Sequence, residues 1–194
     1  EYPNSFIMAG NVSTAQGANA IIAAGADCVK IGIGTGAHCI TYNMTGIGLP
    51  QHRTIDEIKN NGIADISMCA DGGVKEVKDI CLNLVRGADL VMVGTMFCGF
   101  DENEGNWSFI PDFSQRNYRK NRLQVYGMSS REAQETHYGI MEDYRAAEGL
   151  CSWIDGKGPV VNLAKDILGG LRSCCSYMGI REVGEMDKGQ IIEV

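Results

Sequence analysis

The chain has 194 residues, with 24 acidic side chains against 17 basic ones and a formal net charge of -7. Hydrophobic residues make up 44% and charged residues 21%, which indicates a folded domain with a sizeable core rather than a disordered chain. The acidic total argues against extended contact with nucleic acid or an anionic membrane. No apolar run is long enough to span a bilayer, so we expect neither nucleic acid nor membrane as a partner.

The cysteines help to define the compartment. There are eight of them, and none forms a Cys-x-x-Cys pair, which argues against a zinc cage. Cys28, Cys69, Cys81 and Cys98 lie in apolar stretches and are expected to be small core residues. We expect the thiols to be reduced and the protein to be cytoplasmic.

Strands and helices are predicted to alternate through the first half of the chain. The apolar segments 5–9, 28–33, 66–70 and 90–93 are predicted to be strands, and 14–24, 54–61 and 74–86 helices. Either Ser13 or Thr14 can cap the first of these helices. Nearly continuous apolar strands between amphipathic helices indicate a parallel sheet covered on both faces. The links from strand to helix carry the glycines, which places ligand chemistry at the C-terminal ends of the strands, as in a (β/α)8 barrel.

The second half of the chain does not continue this pattern. Residues 101–123 are polar and read as a solvated hairpin, after which 130–137 is expected to be helical. A long helix is predicted to start near 156–159, and the tandem Gly169-Gly170 within it suggests close packing against another element. Residues 190–194 read as a short strand or tail.

The loop after the second strand carries the strongest chemical signal. It holds Gly34, Gly36, Cys39 and Thr41 within a few residues. A cysteine in a glycine-rich loop just past a strand can be exposed and act as a nucleophile, although a buried cysteine in a tight turn is the simpler interpretation. The adjacent His38 could serve as a base, whereas the other two histidines have no ligand partners at metal spacing.

Two segments fit a phosphate site. Asp71-Gly72-Gly73 follows the third strand and is expected to open the next helix, so that free amides face an anion. Gly94-Thr95 follows the fourth strand and can act in the same way. Loops after the last two strands commonly bind phosphate in a barrel. The two segments together therefore indicate a phosphate site more strongly than either segment alone.

Taken together, these motifs resemble a known family. The segment 32–41, together with 9–12, 71–73 and 127–129, is similar to the motif set of the inosine monophosphate dehydrogenase and guanosine monophosphate reductase superfamily. The segments 143–149 and 166–173 resemble the reductase branch, and the Arg-Tyr dipeptide that the dehydrogenase branch uses to activate water does not occur in this sequence. The resemblance covers the chain except for the hairpin region.

The resemblance implies an activity and a set of site residues. The expected enzyme is an NADPH-dependent oxidoreductase of purine metabolism that converts GMP to IMP and ammonia through a covalent thioimidate on Cys39. Thr41 and Glu148 would move protons. The resemblance implies that the substrate contacts Asp71, Gly72, Gly73, Gly94, Thr95, Gly127, Met128, Ser129, Arg145, Ala146, Ala147, Glu148 and Gly149. It implies that the cofactor contacts Ile33, Gly34, Met128, Tyr144, Arg145, Ser173, Cys174, Cys175 and Ser176. The implied potassium ligands are the carbonyls of Gly34, Gly36 and Cys39.

Departures from the family pattern leave alternatives open. Thr95 stands where a second glycine is usual, and Tyr42 and Leu150 stand where basic residues are common. Only four strands are found, so residues 1–194 are expected to form the C-terminal half of one TIM barrel, about its last four βα units, with a flap at about 101–126 and C-terminal helices. Upstream sequence or a second polypeptide would complete the barrel, which would then form a homotetramer. The other candidates are an IMP dehydrogenase producing XMP with NAD and a non-catalytic half-barrel that binds nucleotide.

Overall fold

Four parallel strands form the first sheet in the computed structural model, which describes residues 4–63, 66–142, 144 and 146–188. The strands are paired in chain order, β1-β2-β3-β4. Because all are parallel, their C-terminal ends share one edge of the sheet. The strands are β1 Met8–Val12, β2 Cys28–Ile31, β3 Ser67–Asp71 and β4 Leu90–Met92. Helices lie between them: α1 Ala15–Ala23, α2 Thr41–Thr45, α3 Gln51–Asn60 and α4 Val77–Val85.

The predicted alternation of strands and helices in the parallel half is confirmed, although the short helix α2 was not predicted, and several boundaries are corrected. Strand β1 spans Met8–Val12 rather than 5–9. The strand or tail predicted at 190–194 lies outside the described residues. Strand β2 ends at Ile31, two residues early, because Gly32 adopts a φ of 125° that a strand does not accommodate. Helix α4 begins at Val77 rather than residue 74, because its first turn is arranged around Glu76 and Asp79. Helix α1 has the expected cap: Thr14 Oγ1 accepts a hydrogen bond from Gly17 N at 3.2 Å.

The second half of the chain contains a three-stranded antiparallel sheet. Strands β5 Trp107–Asp112 and β6 Asn117–Tyr126 form the expected hairpin, and β7 Cys151–Asp155 pairs with β6. The third strand was not predicted, because residues 151–155 lie far from the hairpin in sequence. Helix α5 Arg131–Tyr138 lies between β6 and β7 in the chain, and α6 Val161–Met178 follows β7.

Two hydrophobic clusters hold the parallel half together. The first places Val29 and Ile31 of β2 against Ile55 and Ile58 of α3. The second joins α4 to α6 and includes Leu84 and Cys175. Gly170 of α6 allows the close approach that its sequence suggested, since a Cβ there would collide with Val77 Cγ1, whereas Gly169 has open space beside it.

The described sheet leaves apolar side chains uncovered. Leu90 and Met92 of β4 are exposed to 45% and 39%, and Phe6 and Ile7 before β1 to 63% and 52%. A barrel would cover the inner face and both edge strands, so this exposure fits the interpretation of the sheet as part of a barrel. In the described part of the chain, no helix has the length and apolar character needed to cross a membrane.

Candidate active site

The loop after β2 is fixed by pairing with residues 148–150. Ile40 N donates to Glu148 O at 2.8 Å, and Leu150 N donates to His38 O at 2.8 Å, so that Cys39 and Gly149 form an isolated antiparallel bridge. Inside the loop, Cys39 N donates to Gly36 O at 3.0 Å. The cysteine therefore lies on backbone that is held from both sides.

A thiol, a hydroxyl and a carboxylate form a continuous hydrogen-bonded series. Cys39 Sγ lies 3.2 Å from Thr41 Oγ1, to which the thiol donates, and Thr41 Oγ1 donates to Glu148 Oε2 at 2.6 Å. All three side chains are partly buried. The arrangement brings together the three residues predicted to be catalytic, and it offers a path for a proton between the sulfur atom and the carboxylate.

A small cavity of about 360 Å³ opens beside Glu148. Its walls include Ser129, Tyr144 and Ala146 among the predicted site residues, and Gln134 and Met141, which sequence reasoning missed. Glu148 N donates to Ser129 O at 2.9 Å, which ties the two predicted base-binding segments together. Other residues predicted to bind the base differ in exposure: Met128 is exposed, whereas Gly127, Ala147 and Gly149 are partly buried. Arg145 lies outside the described residues.

Asp71 lies at the end of β3 in a polar network. Its Oδ2 atom is 3.0 Å from Lys30 Nζ and 2.9 Å from Asn11 Nδ2, and the same amide donates to Gly32 O at 2.8 Å. Lys30 and Asn11 were not predicted as partners of Asp71. The signal that could have found them is a lysine within an otherwise apolar strand, since a cation there requires a partner.

The glycines after Asp71 do not open a helix, which corrects the sequence interpretation. Gly72 and Gly73 have φ values of 92° and 77°, outside the right-handed helical region, and α4 starts four residues later. The helix start is already occupied, because Asp79 Oδ2 accepts from the amides of Lys75 and Glu76 at 2.8 and 2.9 Å. Any anion at Gly72-Gly73 would therefore rely on loop amides and not on a helix dipole.

The His38 ring is committed to two hydroxyls and not to Cys39. Nδ1 lies 3.2 Å from Thr95 Oγ1, and Nε2 lies 2.7 Å from Ser152 Oγ. Since both ring nitrogens are engaged, the expectation that His38 could act as a base for Cys39 is wrong for this arrangement. Thr95 itself starts a 3-10 turn, Thr95–Phe97, directly after Gly94.

A larger cleft of about 1160 Å³ runs past the cysteine loop. Its walls include Ile33, Gly34, Cys39 and Tyr42 on one side and Lys75 on the side of α4. The predicted cofactor contacts Ile33 and Gly34 thus line the same cleft as Cys39. The volume exceeds what most small-molecule sites need. Because its walls include both an aromatic ring, Tyr42, and a cation, Lys75, the residues present fit the planar ring and the phosphates of a nicotinamide dinucleotide.

Of the cofactor contacts predicted on α6, the two serines are exposed and the two cysteines pack in the core. Ser173 and Ser176 are exposed, but Cys175 is 8% exposed and packs in the cluster that joins α4 to α6. Cys174 packs against the same cluster, where its thiol donates to Met178 Sδ at 3.7 Å. The core encloses the Cys175 thiol, which argues against a contact through its side chain, and the cofactor contact at Cys175 stays a prediction.

Four of the other thiols are poor nucleophiles at neutral pH, because their pKa is raised. Burial raises the pKa of Cys28, Cys69 and Cys98 above its usual value, and burial together with the neighbouring Cys174 raises the pKa of Cys81 to about 11. The described residues contain no group of three or more His, Cys, Asp or Glu side chains placed to hold a metal ion. The carbonyl site expected at Gly34, Gly36 and Cys39 uses main-chain oxygens and stays a prediction.

The parallel βα units and the cysteine site at their C-terminal edge define a barrel-type protein with a partly buried cysteine in the loop after β2. The family model described as IMP dehydrogenase / GMP reductase domain matches residues 1–194, and the chain belongs to this family. The family expected from the sequence motifs is thereby confirmed.

Individual relatives agree with this assignment. A GMP reductase of Caenorhabditis elegans is 39% identical over 189 residues, covering 96% of this chain and 51% of the relative. A GMP reductase of Escherichia coli (strain SMS-3-5 / SECEC) is 40% identical, covering 96% and 52%. The crystal structure of a GMP reductase variant from Trypanosoma brucei in complex with guanosine 5′-monophosphate superimposes with a TM-score of 0.81 at 33% identity, covering 94% of this chain and 37% of that one. The predicted barrel class is confirmed, and the chain spans about half the length of the curated relatives it matches.

Proposed function

We propose that the protein containing this chain reduces GMP to IMP and ammonia with NADPH. The observation that carries the proposal is the series from Cys39 Sγ through Thr41 to Glu148, with contacts of 3.2 and 2.6 Å. Relatives at about 40% identity bear the name GMP reductase, which supports this substrate over other purine nucleotides.

The chain's own residues supply the first half of the chemistry. Cys39, as the thiolate, forms a bond to C2 of the purine, and the C2–N bond to the amino group breaks. Glu148, acting through Thr41, delivers the proton that lets the amine leave as ammonia. The product of this half-reaction is a thioimidate on Cys39, which splits one difficult substitution into two easier steps.

NADPH, when bound, supplies the hydride that reduces C2. The C–S bond then breaks, the electron pair returns to Cys39, and IMP is released. The chain's part in this step is to hold the reacting carbon at the edge of the cleft where the cofactor would bind. The proposed contacts to the cofactor include Ile33, Gly34, Met128 and Tyr144. The carbonyls of Gly34, Gly36 and Cys39 would bind a potassium ion that stiffens the loop, since hard cations take oxygen ligands.

The nucleotide would be held at three places. Asp71, oriented by Lys30 and Asn11, would accept hydrogen bonds from the ribose hydroxyls. The loop amides of Gly72-Gly73 and Gly94-Thr95 would bind the 5′-phosphate. The cavity beside Glu148 would take the base, and its predicted walls are Gly127, Met128, Ser129, Arg145, Ala146, Ala147 and Gly149.

The assembly is also a proposal. The exposed side chains on β4 and before β1 support completion of the barrel by upstream sequence or by a second polypeptide. We propose that residues 1–194 form the C-terminal half of that single barrel domain, with a flap at about 101–126. The completed barrels would form a cytoplasmic homotetramer.

The test uses the complete protein and two pairs of reactants. GMP with NADPH should yield IMP, ammonia and oxidised cofactor. Production of XMP from IMP and NAD, without reduction of GMP, would replace the reductase assignment by the dehydrogenase one. Binding of GMP with neither reaction would mean that the protein is a nucleotide-binding subunit and not an enzyme.

A further inference from the structure

The imidazole of His38 joins two hydroxyls from distant parts of the chain. Nδ1 lies 3.2 Å from Thr95 Oγ1, and Nε2 lies 2.7 Å from Ser152 Oγ. Thr95 follows β4 of the parallel sheet, whereas Ser152 belongs to β7 of the antiparallel sheet. All three side chains are partly buried, so the ring bridges the two sheets at the site itself.

The His38 main chain is fixed as firmly as its ring. Its carbonyl accepts a hydrogen bond from Leu150 N at 2.8 Å. Gly127 lies so near that a Cβ there would meet His38 O at 2.9 Å. Because Cys39 is the next residue, the ring contacts of His38 set the distance between the nucleophile and the turn at Gly94-Thr95.

The tautomer of the imidazole decides which partner donates and which accepts in each of these two hydrogen bonds. A neutral ring has one N–H and one bare nitrogen, so it donates to one hydroxyl and accepts from the other. If Nδ1 carries the proton, it donates to Thr95 Oγ1, and Ser152 donates to Nε2. The Thr95 proton is then free to donate to an anion, an arrangement that a bound negative charge strengthens. With the proton on Nε2, Thr95 must donate to Nδ1 and has no proton left for a ligand.

We propose that His38 is a positioning residue that turns the Thr95 hydroxyl toward the 5′-phosphate of the purine nucleotide. Ser152 donates to Nε2 and thereby stabilises the ring tautomer that makes this possible. His38 acts through Thr95 and does not touch the substrate. The inference rests on the proposed function, because it deepens the phosphate contact assigned there to Gly94-Thr95.

The test measures dissociation constants of three ligands with the complete protein. GMP and ribose 5-phosphate carry the phosphate, and guanosine does not. We expect His38→Phe to weaken binding of both phosphorylated ligands about tenfold, the loss expected for one charge-assisted hydrogen bond, and to change guanosine binding less than about twofold. Thr95→Val should cause the same loss, and the double variant should lose no more than either single one.

Controls separate positioning from folding. Ser152→Ala should weaken the two phosphorylated ligands in the same direction while removing only one hydroxyl, so it tests the proposal even if the larger change at His38 prevents folding. His137→Phe, on an exposed position of α5, should leave all three constants unchanged. An equal loss for guanosine, or unaltered GMP binding either in Ser152→Ala or in a folded His38→Phe variant, would overturn the inference. Failure of the unsubstituted protein to bind GMP would overturn the proposed function as well.

Discussion

The hydroxyl of Thr41 lies 2.6 Å from Glu148 Oε2, although 107 residues separate the two in the sequence. Main-chain pairing creates this contact, since Ile40 N donates to Glu148 O right beside it. A hydrogen bond this short between a hydroxyl and a carboxylate is typical of a charge-assisted interaction. The cysteine loop and the segment that carries Glu148 therefore form one structural unit.

The first prediction concerns the hydroxyl at the centre of that unit. Thr41→Val keeps the shape of the side chain but breaks both hydrogen bonds, so turnover of GMP should fall by about 10²- to 10⁴-fold, the usual range for loss of a proton-transfer group. Thr41→Ser retains the hydroxyl and should remain within about tenfold of the unsubstituted protein. Steady-state rates and GMP dissociation constants provide the measurement. Equal rates in the two variants would exclude Thr41 from proton transfer.

A second prediction concerns the place where the backbone at Gly149 crosses close to the backbone at Ser129 and Ser130. A Cβ on Gly149 would approach Ser130 N to 2.6 Å, and main chain cannot swing aside as a flexible side chain can. Gly149→Ala should therefore displace Glu148 from Thr41 and lower turnover by more than about tenfold, because small misplacements of catalytic groups are costly. Gly184→Ala serves as the control, since open space surrounds that position. If both variants turn over GMP equally well, the crossing does not position Glu148.

The tandem glycines of α6 offer a matched pair for stability. Gly170→Ala places a methyl group against Val77 of α4 and should lower the free energy of unfolding by about 1 to 3 kcal/mol through overpacking. Gly169→Ala meets no atom within 4 Å and should raise it by roughly 0.5 to 1 kcal/mol through helix propensity. Denaturant titration of the two variants measures both changes. Effects of the same sign would contradict the packing described for α4 and α6.

Thiol reactivity should follow burial. The pKa of Cys81, raised to about 11, keeps that thiol protonated, so at pH 8 only on the order of one molecule in a thousand carries the reactive thiolate there. Alkylation of Cys81 should then rise about tenfold per pH unit up to its pKa while the protein stays folded. Cys39 borders the open cleft and should be labelled first. Peptide mass spectrometry after brief labelling at several pH values measures the order, and equal labelling of both thiols at pH 8 would refute it.

Local patterns were enough to predict the parallel half of the fold. Apolar strands, glycine-rich strand ends and helix caps act over a few residues, which is why a cap of α1 at Ser13 or Thr14 and the long helix α6 were found from sequence. Strand β7 was missed because its pairing with β6 is a long-range contact. Helix α4 was started too early because the glycines before it resemble a helix-opening turn, whereas their positive φ values delay the helix.

The residues of the candidate site also fall into two groups, those that the sequence identified and those that only the folded structure revealed. Cys39 could be identified from its loop, and Thr41 and Glu148 only through the family resemblance. The partners Lys30 and Asn11 of Asp71, and the two hydroxyls around His38, depend on where separate strands end in space. No periodicity or spacing in the chain encodes such contacts, so they required the folded structure.

Turnover of GMP by Cys39→Ser tests the central claim most directly. In the complete protein with NADPH, IMP formation should fall by roughly 10⁴-fold or more, since a serine hydroxyl lacks the nucleophilicity of the thiolate, while GMP binding should be almost unchanged. Cys81→Ala, which changes a thiol packed between α4 and α6, should keep its activity. Full IMP formation by Cys39→Ser would contradict the covalent mechanism and remove Cys39 from the centre of the site.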